Sequence, residues 1–207
     1  MYKLKSNFKL FFLIKTILVC LVFSLKAYSA DIKDSKNLIV LGSNDAIVKI
    51  KIFSSLTCPH CASFHMNIVP EIEKEYVKSG KVQLIFIDFP LDQAAFNASK
   101  LLQCSNQNSQ LKLMDQIYQK QAEWTVGSTI VEVNKNLKKI AQDLGISSLD
   151  FEKCLINEDI SDKILNGRID AHSKYSINST PTIVINGKKL EGSASFKNIK
   201  KKIEKII

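Results

Sequence analysis

The spacing of apolar and polar residues predicts a strand, a helix and a second strand in the first half of the chain. Apolar residues alternate with lysine over residues 46–53, which is typical of a strand that buries one face. Residues 81–89 are mostly apolar and predict a buried strand. Between them, apolar side chains recur at intervals of four residues, at Phe64, Ile68, Ile72 and Tyr76. This interval predicts a helix with one buried face.

Two residues shape the predicted helix. Pro70 lies inside the pattern and should kink it, because proline lacks the N–H that a helical hydrogen bond needs. Gly80 follows the last apolar position, where glycine commonly ends a helix. Residues 31–45, before the first strand, are polar and mixed, and they predict a loose lead-in.

A change of pattern after the second strand predicts a block of helices. The expected helical segments cover residues 92–104, 110–123, 134–144 and 148–175, with a connection over 124–133. Next, residues 182–186, which are β-branched except for Asn186, predict a strand, and Asn186-Gly187 predicts a hairpin to a partner strand over 188–191. Ser195 is expected to cap a last helix, whose apolar side chains are Phe196, Ile199 and Ile203.

The order of these elements predicts an α/β fold with an all-helical insertion. The first part of the sheet falls within residues 30–91 and the second part within residues 177–207. The helical block over residues 92–176 separates the two parts.

Residues 1–29 have the pattern of a secretory signal peptide. Three lysines precede an apolar stretch over residues 10–25, and the small residues after it predict cleavage near Ser29 or Ala30. The uncharged core of the stretch is ten residues long, which is short for a membrane span. The pattern thus predicts a periplasmic protein; the alternative is an uncleaved membrane anchor that tolerates Lys15.

The net charge of the mature chain bears on whether nucleic acid is a partner. Removing the five lysines of the signal peptide leaves 24 basic residues against 20 acidic ones, a net charge of +4. Nucleic-acid-binding domains concentrate lysine and arginine on one face, so this mild balance gives no reason to expect a nucleic-acid partner. The chain has no room for an added dimerisation domain, and we expect a monomer.

Four cysteines remain after the signal peptide, namely Cys58, Cys61, Cys104 and Cys154. An even number in an exported chain is compatible with disulfides. Four cysteines allow three pairings, and the spacing of the first two makes them the candidate redox pair.

Cys58 and Cys61 have the spacing that thiol–disulfide exchange needs. Cys58 is expected at a helix N-terminus, where backbone N–H groups and the helix dipole stabilise a thiolate. Cys61 lies one turn further on, where it can resolve a mixed disulfide. Pro59 suits the first turn of a helix, and His60 supplies a cation beside the thiolate. A stabilised thiolate stabilises the reduced form, which makes the disulfide the stronger oxidant.

A lone CxxC also has other interpretations. It occurs in structural disulfides and as half of a zinc site, but zinc needs two further ligands and the chain has no second CxxC or HxxxH. We expect His65 at the surface, and we expect no metal or cofactor.

The tripeptide Thr180-Pro181-Thr182 is the second candidate feature, because it stands at the entry to a predicted strand. A cis Thr180–Pro181 bond would present the Thr180 backbone to an extended substrate beside Cys58. A proline that only stops the preceding helix is the alternative.

Three segments, CPHC, FHMNIVPEIEKEYVKSGKVQLIFIDFPLD and TPTIVINGKKLEG, together resemble the DsbA-type protein-disulfide oxidases, in particular their bacterial subgroup with a TPT loop. The resemblance runs from about Ala46 to the C-terminus and implies a thioredoxin fold with an inserted helical domain. It also implies that Cys58 is the nucleophile, that His60 tunes it and that Pro181 is cis. Reduced secreted or periplasmic proteins are the implied substrates, and a quinone-linked, DsbB-like membrane protein is the implied re-oxidant.

The chain departs from the family at one position. The family usually has a buried carboxylate six residues before its first motif cysteine, where it helps to move protons at the second cysteine. That position is Ile52 in this sequence. Either another group serves, or proton transfer at Cys61 is slower.

Cys104 and Cys154 are expected inside the helical block, because each shares a helical face with apolar neighbours. Two buried free thiols would behave as small apolar side chains. In an oxidising compartment we expect a structural disulfide instead, and relatives of this subgroup carry such a second bridge.

These features predict an exported oxidase that donates the Cys58–Cys61 disulfide to its substrates. A reductase or isomerase with the same chemistry is the first alternative, since the residue before Pro181 tunes substrate release and potential. A non-catalytic binding module or metal carrier is the second.

Overall fold

The strands of the described residues form one sheet. The computed structural model describes residues 38–207, and the predicted signal peptide with its cleavage site lies outside them. The strands in this part are β1 (Ile39–Leu41), β2 (Val48–Ser54), β3 (Val82–Asp88), β4 (Thr182–Ile185) and β5 (Lys188–Lys189). Their order across the sheet is β1-β3-β2-β4-β5.

Strand β2 lies at the centre of the sheet and ends just before the CxxC motif. It pairs in parallel with β3, with Ile52 opposite Phe86 and Ser54 opposite Asp88. On its other side it pairs antiparallel with β4, with Phe53 opposite Thr182. The end of β2, the end of β3 and the start of β4 therefore meet at one edge of the sheet.

Helix α1 follows β2 and consists of four consecutive segments, Pro59–Ser63, Phe64–Ile68, Val69–Ile72 and Glu73–Val77, of which the second and fourth are π-helical. The other helices are α2 (Gln93–Cys104), α3 (Gln107–Gln119), α4 (Gln121–Trp124), α5 (Ile130–Asp143), α6 (Ser148–Leu155), α7 (Glu158–Tyr175) and α8 (Phe196–Ile203). Within residues 38–207, no helix is both long enough and apolar enough to span a membrane.

Because α1 contains wide turns, the set of its buried apolar side chains differs from the set predicted from the four-residue interval. Val69 N–H donates to Phe64 O, which is a step of five residues. Consequently Val69 is buried at 5% exposure, and Ile68 is only half-buried. Pro70 lies directly after this wide turn, and the chain widens the helix at the position where the sequence predicted a kink.

Several other boundaries differ from the prediction, and the segment predicted as one helix over 110–123 falls in the two helices α3 and α4. The lead-in contains the edge strand β1, which is three residues long and was missed because only Ile39 in it is buried. The segment predicted as one helix over 148–175 is two helices, because Asn157 caps α7 with a hydrogen bond from Ile160 N–H. The connection predicted over 124–133 is shorter, since α4 includes Trp124 and α5 begins at Ile130.

The hairpin has the predicted turn. Asn186 and Gly187 have φ of 44° and 80°, and both values lie in the left-handed region that asparagine and glycine tolerate best. The Asn186 side chain also accepts from Lys49 N–H at 2.7 Å, which ties the turn to the start of β2.

The helical block and the sheet share one core. The main apolar cluster joins Ile50 and Ile52 of β2 to side chains of α1, α3 and α5. A smaller cluster on the other face of the sheet packs Phe53 and Val184 against Ala171 of α7. Residues Ile39–Ile207 form one compact unit, and the predicted α/β architecture with a helical insertion is confirmed.

Candidate active site

The two cysteines of the CxxC motif lie at the start of α1, at the edge of the sheet where β2 ends. Cys58 is the N-cap residue, with φ of −77° and ψ of 119°, and its carbonyl accepts from Cys61 N–H and Ala62 N–H. The Cys58 side chain is half-buried, whereas Cys61 is buried at 1% exposure. Both are free thiols, so the structure represents the reduced form.

The loop before β4 lies against the Cys58 thiol. The Thr180–Pro181 bond is cis. Cys58 Sγ donates to Thr180 O at 3.5 Å, and Thr182 Oγ1 donates to Ser179 O at 2.7 Å within the loop. The Thr180 hydroxyl is buried and has no hydrogen-bond partner among residues 38–207. It is therefore available to donate to a thiolate beside it.

The environment makes the two thiols unequal. Burial raises the pKa of Cys58, but the Thr180 side chain, the Cys61 backbone and thiol and the His60 backbone outweigh this effect, and the pKa is lowered overall. The pKa of Cys61 is raised to about 11, mainly by burial, and the neighbouring Cys58 adds to the rise. Near neutral pH, Cys58 is therefore the better nucleophile and Cys61 holds its proton.

Pro59 and His60 are exposed on the first turn of α1. The backbone N–H of His60 lowers the pKa of Cys58. From the motif alone, the charge of the His60 imidazole was the expected cause. Both side chains directly follow the half-buried Cys58 in the chain.

Gln121 of α4 contacts the CxxC loop and was missed from the sequence. Its side-chain N–H groups donate to Leu56 O at 2.8 Å and to Cys58 O at 3.1 Å. The helical insertion thus fixes the backbone that carries the nucleophile. A glutamine within a predicted helix gives no sign of this role in the sequence.

A second connection joins the same loop to the start of α2. Thr57 Oγ1 donates to Asp92 Oδ2 at 2.5 Å, while Asp92 Oδ1 caps α2 by accepting from Ala95 N–H at 2.7 Å. Ser55 is fully buried beneath the loop, and its carbonyl accepts from Cys58 N–H at 3.1 Å. The sequence predicted the helix start near Asp92 but not this contact.

Replacing Gln121 by Leu is expected to lower the free energy of unfolding by roughly 2 kcal/mol, because Leu56 O loses its side-chain donor and Cys58 O loses one of its three donors. Urea unfolding of the reduced protein measures this change. Gln119→Leu is the matched control, since Gln119 is the exposed last residue of α3 and its replacement should change stability little. Equal stability of the two variants would contradict the stabilising role of the Gln121 hydrogen bonds to the CxxC loop.

His65 is buried, which corrects the expectation that it lies at the surface. Only 7% of it is exposed, and its ring lies between Phe86 and Tyr118 at centroid distances of 5.7 Å and 4.8 Å. His65 Nε2 lies 2.6 Å from Asp115 Oδ1 of α3. His65 lies one helical turn after the buried Cys61 and so shares its face of α1.

Cys104 and Cys154 are joined by a disulfide with an S–S distance of 2.05 Å. The bridge links the end of α2 to α6 across 50 residues of sequence. In the described part of the chain, no group of three or more His, Cys, Asp or Glu side chains is arranged to hold a metal ion.

The CxxC pair lies at the start of the helix that follows the central strand β2, and it faces a cis-proline loop. This arrangement defines a thiol:disulfide oxidoreductase of the thioredoxin fold. The family model described as Thioredoxin matches residues 34–205, and the chain belongs to this family. The inserted helices place it with the DsbA-type thiol:disulfide oxidoreductases.

Known proteins similar to the chain agree with this class. It is 30% identical to the "Probable disulfide bond formation protein D" of Bacillus cereus, over 92% of each chain. It is 28% identical to a "Putative protein-disulfide oxidoreductase" of Rickettsia bellii, over 88% of this chain and 69% of that one. The crystal structure of Wolbachia pipientis alpha-DsbA1 superposes with a TM-score of 0.75 at 28% identity, covering 83% of this chain and 91% of that one.

Proposed function

We propose that the protein is exported and oxidises thiols of other exported proteins by donating its Cys58–Cys61 disulfide. The observation that carries the oxidising direction is the difference between the two thiols. The Thr180 side chain and the backbone at the start of α1 favour the Cys58 thiolate, which exists only in the reduced form. Stabilising the reduced form makes the disulfide a stronger oxidant.

The reaction runs in two exchanges. A substrate thiolate attacks Cys58 Sγ, the Cys58–Cys61 bond breaks, and Cys61 leaves with the electron pair and takes up a proton. A second substrate thiolate then attacks the substrate sulfur of the mixed disulfide. The substrate disulfide forms, and Cys58 leaves as the thiolate that its surroundings favour. The substrate is oxidised by two electrons and the protein is reduced by two.

The proposed roles of the site residues follow from their positions. Cys58 Sγ is the sulfur that the substrate thiolate attacks and then the leaving group, and its thiolate is the nucleophile when the reduced pair is re-oxidised. Cys61 is the resolving thiol. Thr180 and Pro181 form the surface against which an extended substrate chain pairs, because Thr180 O already contacts Cys58 Sγ. Pro59 and His60 form the exposed edge of the same surface.

The partners are proposed from the relatives and the N-terminal sequence. The signal-peptide pattern of residues 1–29 supports substrates outside the cytoplasm. The name "disulfide bond formation protein" of the Bacillus cereus relative supports protein substrates for this chain. A quinone-linked membrane protein of the DsbB type is the proposed electron acceptor for the reduced pair.

The direction is tested by mixing the oxidised mature protein with a reduced, unfolded disulfide protein in equimolar amounts. We expect free thiols to disappear from the substrate and to appear at Cys58 and Cys61, as measured by alkylation and mass spectrometry. The parallel experiment starts from the reduced protein and the oxidised substrate. Net transfer of electrons to the substrate in that second mixture would support a reductase and contradict the proposal.

A further inference from the structure

The direction of the Cys58 thiol depends on the backbone conformation at the start of α1. As the N-cap residue, Cys58 is extended, and its carbonyl accepts from Cys61 N–H and Ala62 N–H. In this conformation the side chain of an N-cap residue lies near the free N–H groups of the first turn. The Cys58 sulfur also reaches Thr180 O at 3.5 Å. A rotation of the Cys58 peptide group would turn the sulfur away from both, so a group that holds the Cys58 carbonyl also holds the sulfur.

Gln121 of α4 holds this carbonyl from outside α1. Its Nε2 donates to Cys58 O at 3.1 Å and to Leu56 O at 2.8 Å. One amide group therefore fixes the peptide group that precedes Thr57 and the peptide group that follows Cys58. Only 9% of Gln121 is exposed, and water competes weakly for these carbonyls at such a buried position.

The backbone of α4 is itself fixed, so the Gln121 amide is in place before a substrate arrives. Gln121 O accepts from Thr125 N–H at 3.1 Å and from Thr125 Oγ1 at 2.7 Å. Trp124, at 1% exposure, donates through Nε1 to Ile117 O of α3 at 2.9 Å. A donor that is held in this way needs no reorganisation when the reaction begins.

The contacts that favour a thiolate at Cys58 need the conformation that Gln121 holds. Burial raises the pKa of Cys58, but the Thr180 side chain, the Cys61 backbone and thiol and the His60 backbone lower it by more. The two backbone N–H groups belong to the first turn of α1, and they face the sulfur while Cys58 keeps its N-cap conformation. Gln121 itself is uncharged, so its replacement by leucine removes no charge from the site.

The titratable side chains around the CxxC motif belong to α1, α3, the end of β3 and the start of α2. In the described part of the chain, none of them is hydrogen-bonded to the Gln121 side chain, so its replacement by leucine leaves them in place. They are His60 and Cys61 of α1, Tyr118 of α3, Asp88 at the end of β3, and Asp92, which accepts from Thr57 Oγ1.

We propose that Gln121 is a positioning residue for disulfide exchange at Cys58, acting through its hydrogen bonds to the carbonyls of Cys58 and Leu56. In the second exchange the substrate disulfide forms, and Cys58 Sγ leaves with the electron pair into the position that these bonds maintain. Without them the departing thiolate is less favoured, and the reduced pair is less stable relative to the disulfide. The helical insertion is thus a part of the redox site. The inference rests on the proposed function, in which Cys58 leaves as a thiolate.

The test is the pH dependence of Cys58 alkylation in the protein with a reduced CxxC pair. Samples are treated briefly with iodoacetamide between pH 4 and pH 10 and quenched with acid, and tandem mass spectrometry quantifies Cys58 and Cys61 separately. Gln121→Leu removes the donor, and Gln121→Glu keeps the size of the side chain but cannot donate once it is ionised. The controls are Gln119→Leu, at an exposed position, and Cys104→Ala/Cys154→Ala, which removes the α2–α6 bridge.

We expect the midpoint of the alkylation profile to rise in Gln121→Leu. Below the wild-type midpoint its Cys58 should react about fivefold more slowly than in wild type, the size of the effect of a helix N-terminus on a neighbouring charge. Above both midpoints the rates should agree within about twofold, since Cys58 is then ionised in each protein. Gln121→Glu should show a larger deficit at neutral pH, because its carboxylate faces two carbonyls and a thiolate. Both controls should keep the wild-type profile.

Two results would overturn the inference. One is a wild-type Cys58 profile in Gln121→Leu, with folding checked by circular dichroism, or in Gln121→Glu at neutral pH if Gln121→Leu does not fold. The other is faster alkylation of Cys61 together with Cys58. Because Cys61 is at 1% exposure, that result would mean that the fold opens and that Gln121 has only a structural role. Preferential alkylation of Cys61 in the wild-type protein would contradict the assignment of the nucleophile, and with it the proposed function as well.

Discussion

The Cys58→Ser variant is expected to lose disulfide transfer to reduced proteins by at least about 100-fold, because a serine hydroxyl is neither ionised nor able to form the mixed disulfide. Cys58 is the half-buried thiol with the lowered pKa, and its Sγ donates to Thr180 O of the cis-proline loop. Oxidation of a reduced test protein, followed by the loss of its free thiols, measures the effect.

Two further variants distinguish this chemistry from simple loss of the fold. Cys61→Ser keeps the Cys58 thiolate but not the resolving thiol. When it is mixed with a disulfide-containing test protein, Cys58 attacks that disulfide and releases one cysteine of the test protein as a thiolate; we expect the mixed disulfide to accumulate, because Cys61 is not there to displace the test protein. The Cys104→Ala/Cys154→Ala variant keeps the CxxC pair and should retain transfer. Full activity of Cys58→Ser would assign the oxidation to another site.

Removing the second disulfide should cost the oxidised protein about 4 kcal/mol of stability, the value expected from the chain entropy of a loop of 50 residues. For a domain of this size the loss corresponds to a fall in Tm of roughly 10 °C. The bridge joins α2 to α6, so it constrains the helical block and leaves the site at the sheet edge unchanged. Thermal unfolding of Cys104→Ala/Cys154→Ala measures the change.

The control for this variant is the same measurement under strong reductant. Both disulfides of the wild-type protein are then reduced, and its Tm should lie close to the Tm of the variant. The remaining difference between the two proteins is only two side-chain replacements. An unchanged Tm of the variant without reductant would mean that the bridge contributes nothing to stability.

Much of the fold was predictable because the determining signals are local. The alternation that defines β2, the Asn186-Gly187 turn and the CxxC helix start each depend on a few neighbouring residues. The N-cap at Asn157 was also local, but it was overlooked within a long helical pattern.

The parts that could not be predicted depend on contacts distant in sequence or on irregular helical geometry. The π-helical turn of α1 moves Val69 into the core, and no periodic pattern based on regular helices contains it. Gln121 approaches Cys58 from 63 residues further along the chain.

The environment of Cys58 also could not be assigned in full from the motif. The CPHC sequence suggested the histidine charge as the stabiliser of the thiolate. In the structure, the contributions that lower the pKa come from the Thr180 side chain, the Cys61 backbone and thiol, and the His60 backbone N–H. The facing loop is therefore as much a part of the redox site as the motif itself.

The reduction potential of the mature protein tests the oxidising direction most directly. It is obtained by equilibration with glutathione buffers and alkylation of the free thiols of Cys58 and Cys61. A strongly oxidising value, closer to the roughly −120 mV of DsbA than to the roughly −270 mV of thioredoxin, is the predicted result. A value near that of thioredoxin would contradict the account, because it would mean that the surroundings of Cys58 do not favour the reduced pair.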